Sequence, residues 1–180
     1  MYGIVNQAIE DLVKANFGEE RWEKIVERSG LEIDFFISNE PYDDSVTFRL
    51  AGAICEEMNM TMDQVLQAFG EWWVLKTGKE KYGGLMEAGG STLKEFLLNL
   101  PMFHNRIMLI YPKLTPPEFR ISNQEENSVH VHYYSKREGL QEMVRGLLSG
   151  LAKMYNTPAR IELLQSRQSG HDHEIFKVSW

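Results

Sequence analysis

The sequence predicts an α+β fold: a helical N-terminal part packed on a C-terminal part with a four-stranded antiparallel sheet and helices. Two observations predict it. Apolar residues recur at helical spacing to about residue 111. After Pro117 the period switches to strict alternation, interrupted by polar turns and one further helical stretch.

The chain has 180 residues, of which 43% are hydrophobic, enough for one well-buried domain. We read residues 1–180 as a single domain, with the helical part over about 1–60 and the sheet part over about 61–180. The formal charge of -7, with no clustered Lys or Arg, argues against a nucleic-acid partner. The single cysteine, Cys55, rules out an internal disulfide and fits a reducing compartment. The opening stretch is amphipathic and acidic, so no signal peptide is expected. No run reaches the roughly 18 apolar residues that a membrane span needs, so a cytoplasmic domain is expected.

The first helix places Ile4, Val5, Ala8, Ile9, Leu12 and Val13 on one stripe and ends at Gly18. Glu19 to Arg28 repeats the pattern with Trp22, Ile25 and Val26, and Gly30 stops it. Residues 31–42 lack helical period, so a loop is expected, with a short extended piece at Ile33–Ile37. Asp43 and Asp44 can cap a helix running to Met58. Thr61-x-x-Gln64 is a capping box for a helix to about Lys76. Gly83, Gly84, Gly89 and Gly90 bracket a short helix near Leu85. Thr92-x-x-Glu95 opens the next helix. Pro101 lacks an N–H, so a break is expected there, with a new helix from Pro101 to about Tyr111. His104, Ile107, Met108 and Tyr111 would share its inner face.

Glu118–Ser122 and Ser128–Tyr134 read as a hairpin around Asn123–Asn127. Leu140 to Tyr155 is helical, with Leu140, Met143, Leu147, Leu151 and Met154 in one stripe. Gly146 and Gly150 would let another backbone, or a flat ligand, come close. Arg160–Gln165 and Ile175–Val178 complete the sheet.

Three features carry chemistry. His104 lies on an apolar helix face, where a neutral imidazole can be an axial ligand for haem iron or a satisfied core histidine. Its neighbours Phe103 and Met108 are soft enough to line a porphyrin. Pro116-Pro117 is a stiff connector or a wedge against a planar cofactor, and sequence alone favours the connector. Tyr133, Ser135 and Arg137 are two residues apart, so on a strand they share a face. Two hydroxyls and a guanidinium there make an anion site; the alternative is a solvated edge-strand face. Together the three supply a metal ligand, a wedge and an anion clamp, the parts that hold an iron porphyrin.

His130 and His132 alternate on a strand, and His171 and His173 flank Asp172. They lack cysteine partners or a third spaced ligand, so a structural metal site is not expected. No P-loop, GxSxG, HExxH or CxxC is present, and no acid/base pair stands out, so nothing in the pattern supports an enzyme.

With these residues placed, the chain resembles the H-NOX family, the haem-nitric oxide/oxygen binding domains that include the haem domain of soluble guanylate cyclase. The resemblance rests on the MYGIVNQAIEDLV opening, AFGEWW, NLPMFH, YPKLTPPEF and HYYSKREGLQEMV. It implies haem b as cofactor and His104 as the proximal ligand. Tyr133, Ser135 and Arg137 would grip the propionates, and Pro117 would press on the porphyrin. Val5, Trp73, Met143 and Leu147 would build the distal wall. Oxygen-binding members are expected to carry a tyrosine on the helix after the Tyr-x-Ser-x-Arg strand. The stretch here is GLQEMVRGLL, with Met143 inward rather than Glu142 and the Trp73 indole as the one candidate donor. The resemblance therefore implies a sensor of nitric oxide and CO that excludes oxygen. Loss of the His104 bond would let the helical part shift against the sheet part. The implied partner is a histidine kinase, a cyclic-di-GMP enzyme or a fused cyclase. A haem-free domain of similar fold that binds an apolar small molecule is the alternative. A haem peroxidase would need a distal acid/base pair.

Overall fold

The computed structural model describes residues 1–110 and 117–180. Among them the helices are α1 (Gly3–Phe17), α2 (Glu19–Ser29), α3 (Asp44–Met58), α4 (Met62–Trp72), α5 (Lys79–Glu87), α6 (Leu93–Ile110) and α7 (Gln141–Met154). The strands are β1 (Glu118–Ser122), β2 (Ser128–Tyr134), β3 (Arg160–Gln165) and β4 (Glu174–Ser179). They form one antiparallel sheet in the order β1-β2-β4-β3, so the α+β expectation holds.

The local signals act where the sequence places them. Gly30 ends α2 in the left-handed region that favours glycine. The Asp43 carboxylate accepts from the Ser45 N–H at the start of α3. Both halves of the Thr61–Gln64 capping box are made. The second box closes differently: Thr92 accepts from the Glu95 N–H, while the Glu95 carboxylate takes the Ser91 N–H and hydroxyl.

Residues 31–42 form the expected loop, tied to the start of the chain by the Tyr2–Pro41 bridge and by the Gly3, Ile4 and Tyr42 N–H groups donating to the Glu40, Ser38 and Met1 carbonyls. Three expectations need correction. The helix from Thr61 does not stop near Lys76. It runs on as a π-helical turn, Trp73–Gly78, into α5, which absorbs the helix expected near Leu85 and kinks at Tyr82. A π turn widens the helix by one residue and re-aims the side chains around it, something no apolar period signals. Pro101 does not break α6. Phe96, Leu100, Phe103, His104 and Ile107 all face the cavity described below, and that continuous stripe outweighs the missing Pro101 hydrogen bond. Met108 is not on the stripe; it does not line the cavity and is 39% exposed. Tyr111 and Pro116 lie outside the described residues.

Two apolar cores flank the middle of the molecule. One joins α1–α4 through Ile9, Val13, Ile25, Leu50, Val65 and Phe69. The other lies between the sheet and α5–α7, around Phe96, Leu97, Val131, Leu148 and Phe176. Helices α4 and α7 join them back to back. A Cβ on Gly70 would fall 2.2 Å from the Met143 carbonyl, and one on Gly146 2.2 Å from the Gln67 carbonyl. Gly146 therefore admits a neighbouring backbone, not a flat ligand.

Candidate functional site

A cavity of about 230 Å³ lies between the two cores. All nine residues singled out from the sequence line it: His104, Pro117, Tyr133, Ser135, Arg137, Val5, Trp73, Met143 and Leu147. They come from α1, the π turn, α6, β2 with the segment after it, and α7, together with Pro117 just before β1. The walls are otherwise mostly aliphatic and aromatic, including Ile4, Phe103 and Phe119.

His104 stands on the α6 wall, its ring centroid 4.8 Å from that of Phe119. Its Nδ1 is buried and makes no hydrogen bond. Burial pushes its pKa down to about 4, so the imidazole is neutral at pH 7. The residue as a whole is only half-buried, and it lines the cavity. That Nδ1 is not satisfied by a carbonyl, as it would be in an ordinary core histidine. A neutral imidazole with an unpartnered nitrogen is the kind of donor that haem iron takes.

Another part of the lining is polar. Strand β2 ends at Tyr134, so Ser135 and Arg137 lie beyond it rather than on it. They converge with Tyr133 through a bend in which the Ser135 hydroxyl accepts from the Arg137 N–H at 3.0 Å. Nor is β2 an edge strand; it pairs on both sides. Burial raises the pKa of Tyr133, while its hydrogen bond with Ser135 opposes the rise, so the phenol stays protonated. The Arg137 guanidinium is paired with Asp44 of α3, Nε to Oδ2 at 2.7 Å and an amino N–H to Oδ1 at 3.2 Å. The N-terminal ammonium donates to the same carboxylate at 2.5 Å. Burial opposes ionisation of Asp44, but Arg137 and the ammonium outweigh it and hold its pKa below the usual carboxylate value.

On the far wall Met143 faces the cavity, as its stripe requires. Glu142 turns away to Arg145 and Gln67. Sequence reasoning missed Tyr2 and Tyr82, which also line the cavity. Tyr82 reaches it because the π turn and the kink shift the start of α5, and both tyrosines are engaged in contacts of their own.

The remaining histidines lie elsewhere. His132 Nδ1 is 2.9 Å from His173 Nε2, His173 Nδ1 is 2.6 Å from Asp172, and His132 Nε2 is 2.7 Å from the Ser122 hydroxyl. Their nitrogens are committed to one another. Among the described residues no group of three His, Cys, Asp or Glu side chains could hold a metal ion. None of the described helices is long and apolar enough to cross a membrane.

An apolar cavity lined by a neutral imidazole with an unpartnered Nδ1 and by a hydroxyl–guanidinium cluster fits the class of haem-binding α+β domains. A sequence profile described as Haem-NO-binding matches residues 2–163, and the chain belongs to that family. It is 31% identical over 156 residues to soluble guanylate cyclase gcy-32 of Caenorhabditis elegans, covering 85% of this chain and 23% of that protein. It is 28% identical to gcy-35 of the same organism, over 99% of this chain and 27% of that one. The chain thus spans about a quarter of the length of these relatives. An H-NOX protein from S. oneidensis in the Fe(II) state superposes with a TM-score of 0.91 at 20% identity, over 99% of this chain and 95% of that chain. An Fe(II) unliganded H-NOX mutant from K. algicida does so at 0.86 and 25% identity, over 99% and 96%.

Proposed function

We propose that this chain acts as one haem-based gas-sensing domain that binds nitric oxide and CO, excludes oxygen and catalyses no reaction itself. The observation that carries the reading is the unpartnered, neutral His104 imidazole facing an apolar cavity whose lining also includes Arg137. In this reading haem b, when bound, would supply ferrous iron able to take a diatomic gas. His104 of α6 would hold the iron. Tyr133, Ser135 and Arg137 would hold the propionates, with Asp44 orienting the Arg137 guanidinium. Pro117 would pack against the porphyrin. Val5, Trp73, Met143 and Leu147 would keep water out of the gas-binding side. Bound oxygen accumulates negative charge and needs a donor there, whereas nitric oxide and CO do not.

Release of His104 would untether α6 and let the first core move against the second, a two-state element biased by ligation. The reader of that movement would be a histidine kinase, a cyclic-di-GMP enzyme or a cyclase joined to the chain, and the setting cytoplasmic. A C. elegans relative named as a soluble guanylate cyclase supports the cyclase among these.

The visible spectrum of the reduced protein, with and without nitric oxide, tests the proposal. A Soret band that moves to the five-coordinate nitrosyl position supports it. A colourless protein would point to the apolar small-molecule alternative. One observation favours an oxygen-binding version: Tyr2 and Tyr82, each bearing a hydroxyl, are also among the residues that line the cavity. A stable oxy complex in air that is lost in Tyr82→Phe would establish that version instead.

A further inference from the structure

We infer that Arg167 and Glu174, which do not line the cavity, are positioning residues that set the geometry of the anion clamp. The inference rests on the haem reading above. Past Tyr134 the chain leaves the sheet, so no neighbouring strand takes the carbonyls of the segment that carries Ser135 and Arg137. Arg167 takes them. One amino group donates to the Ser135 carbonyl at 2.7 Å and the other to the Arg137 carbonyl at 2.8 Å. Its Nε lies 2.9 and 3.1 Å from the two oxygens of Glu174.

Glu174 is 1% exposed and stands directly across the ladder from Tyr133. Arg167 is the first residue of a single 3₁₀ turn, pinned by the Ser166 hydroxyl accepting from the Gln168 N–H and closed by Gly170 in the left-handed region. The guanidinium thus has one face on a strand-anchored carboxylate and its fork on two successive clamp residues. A planar fork can hold those three acceptors at fixed angles; an ammonium cannot. A buried ion pair is a poor way to gain stability, because desolvation offsets the attraction. Here it fixes a backbone that carries two of the three clamp side chains. A clamp held this way meets two carboxylates without first ordering itself.

Iron-free porphyrins test this apart from gas binding and apart from His104. The diacid protoporphyrin IX engages the clamp, and its dimethyl ester fills the same cavity without carboxylates. In the wild type the diacid is expected to bind at least about tenfold more tightly than the ester. Arg167→Lys is expected to weaken the diacid about tenfold, as loss of an outer-shell partner does at metal sites, and to leave the ester within about twofold. Glu174→Gln, which keeps the shape and one acceptor, is expected to do the same to a smaller degree, and it decides the matter should the lysine variant not fold. An equal loss for both porphyrins, or none for either, overturns the inference. A wild type that does not prefer the diacid overturns the clamp as well, and so separates failure of the haem reading from failure of the positioning role.

Discussion

The His104 end and the Arg137 end of the lining, bridged by Phe119, are built on opposite principles. At the His104 end a buried nitrogen has no partner at all. At the clamp end polar groups are partnered several times over: Arg137 by Asp44, Asp44 by the N-terminal ammonium, and the clamp backbone by Arg167. A buried unpaired polar group costs on the order of 1–3 kcal/mol, so a fold keeps one where a ligand completes it. The saturated end does the reverse. Its geometry is over-determined before anything binds.

The sharpest way to break this contrast is to remove the open end. His104→Gly should abolish protein ligation of iron while Tyr133, Ser135 and Arg137 retain the porphyrin. Added imidazole should restore the spectrum of the reduced wild type. A pigment whose spectrum changes at neither step would take His104 out of the site.

Acid should separate the two ends next. The unfolded His104 takes up a proton near pH 6.5, the buried one only near pH 4. Between those values the unfolded chain binds the extra proton, so the haem-free protein should lose stability as pH falls through that window, by roughly 3 kcal/mol in all. Asp44 works in a lower range. Its folded pKa is depressed, so its contribution is complete above the usual carboxylate value and is lost only as pH falls below it. Urea unfolding at a series of pH values should show the upper slope, and His104→Leu should erase it. A slope that survives in the leucine variant would mean that other groups carry it.

Asp44→Asn loosens the saturated end. The pair it breaks is partly exposed, with side chains 20% and 38% accessible, so about 1 kcal/mol of stability is expected to go, less at high salt. The porphyrin diacid should still bind, since Arg137 stays in place. Loss of diacid binding in this variant would show that orienting the Arg137 guanidinium through Asp44 matters as much as holding its backbone through Arg167.

The open end was the more legible of the two in the sequence. His104 could be read because one residue on one apolar stripe defines it. The hairpin and the caps of α3 and α4 could be read because each signal lies within a few residues of its effect. Tyr133, Ser135 and Arg137 were found for a partly mistaken reason: strand alternation pointed to a shared face, but a bend beyond the strand brings them together. Arg167, Glu174 and Asp44 carried no local signal. Asp44 lies 93 residues from Arg137, and Arg167 lies 32 and 30 residues from the Ser135 and Arg137 carbonyls it holds; pairing across such spans is invisible without the fold. The π turn and the unbroken α6 failed for a related reason. Local rules weigh a proline or a helix period by itself, whereas the cavity stripe on both sides of Pro101 decides the outcome.

The smallest expected effect concerns the residue between the two ends. Pro117 lines the cavity immediately before β1, where a fixed φ suits a connector and a rigid ring suits a wedge. Pro117→Ala separates the two roles because they predict changes in different observables. A connector acts on the unfolded chain, so its loss should cost under about 1 kcal/mol of stability and leave the cofactor alone. A wedge acts on the porphyrin, so its loss should flatten the haem without nitric oxide, seen as a shift of the out-of-plane resonance Raman bands, at nearly unchanged stability. We expect the flattening. Unchanged bands alongside a small loss of stability would leave Pro117 a connector and would place the control of haem shape on α6 alone.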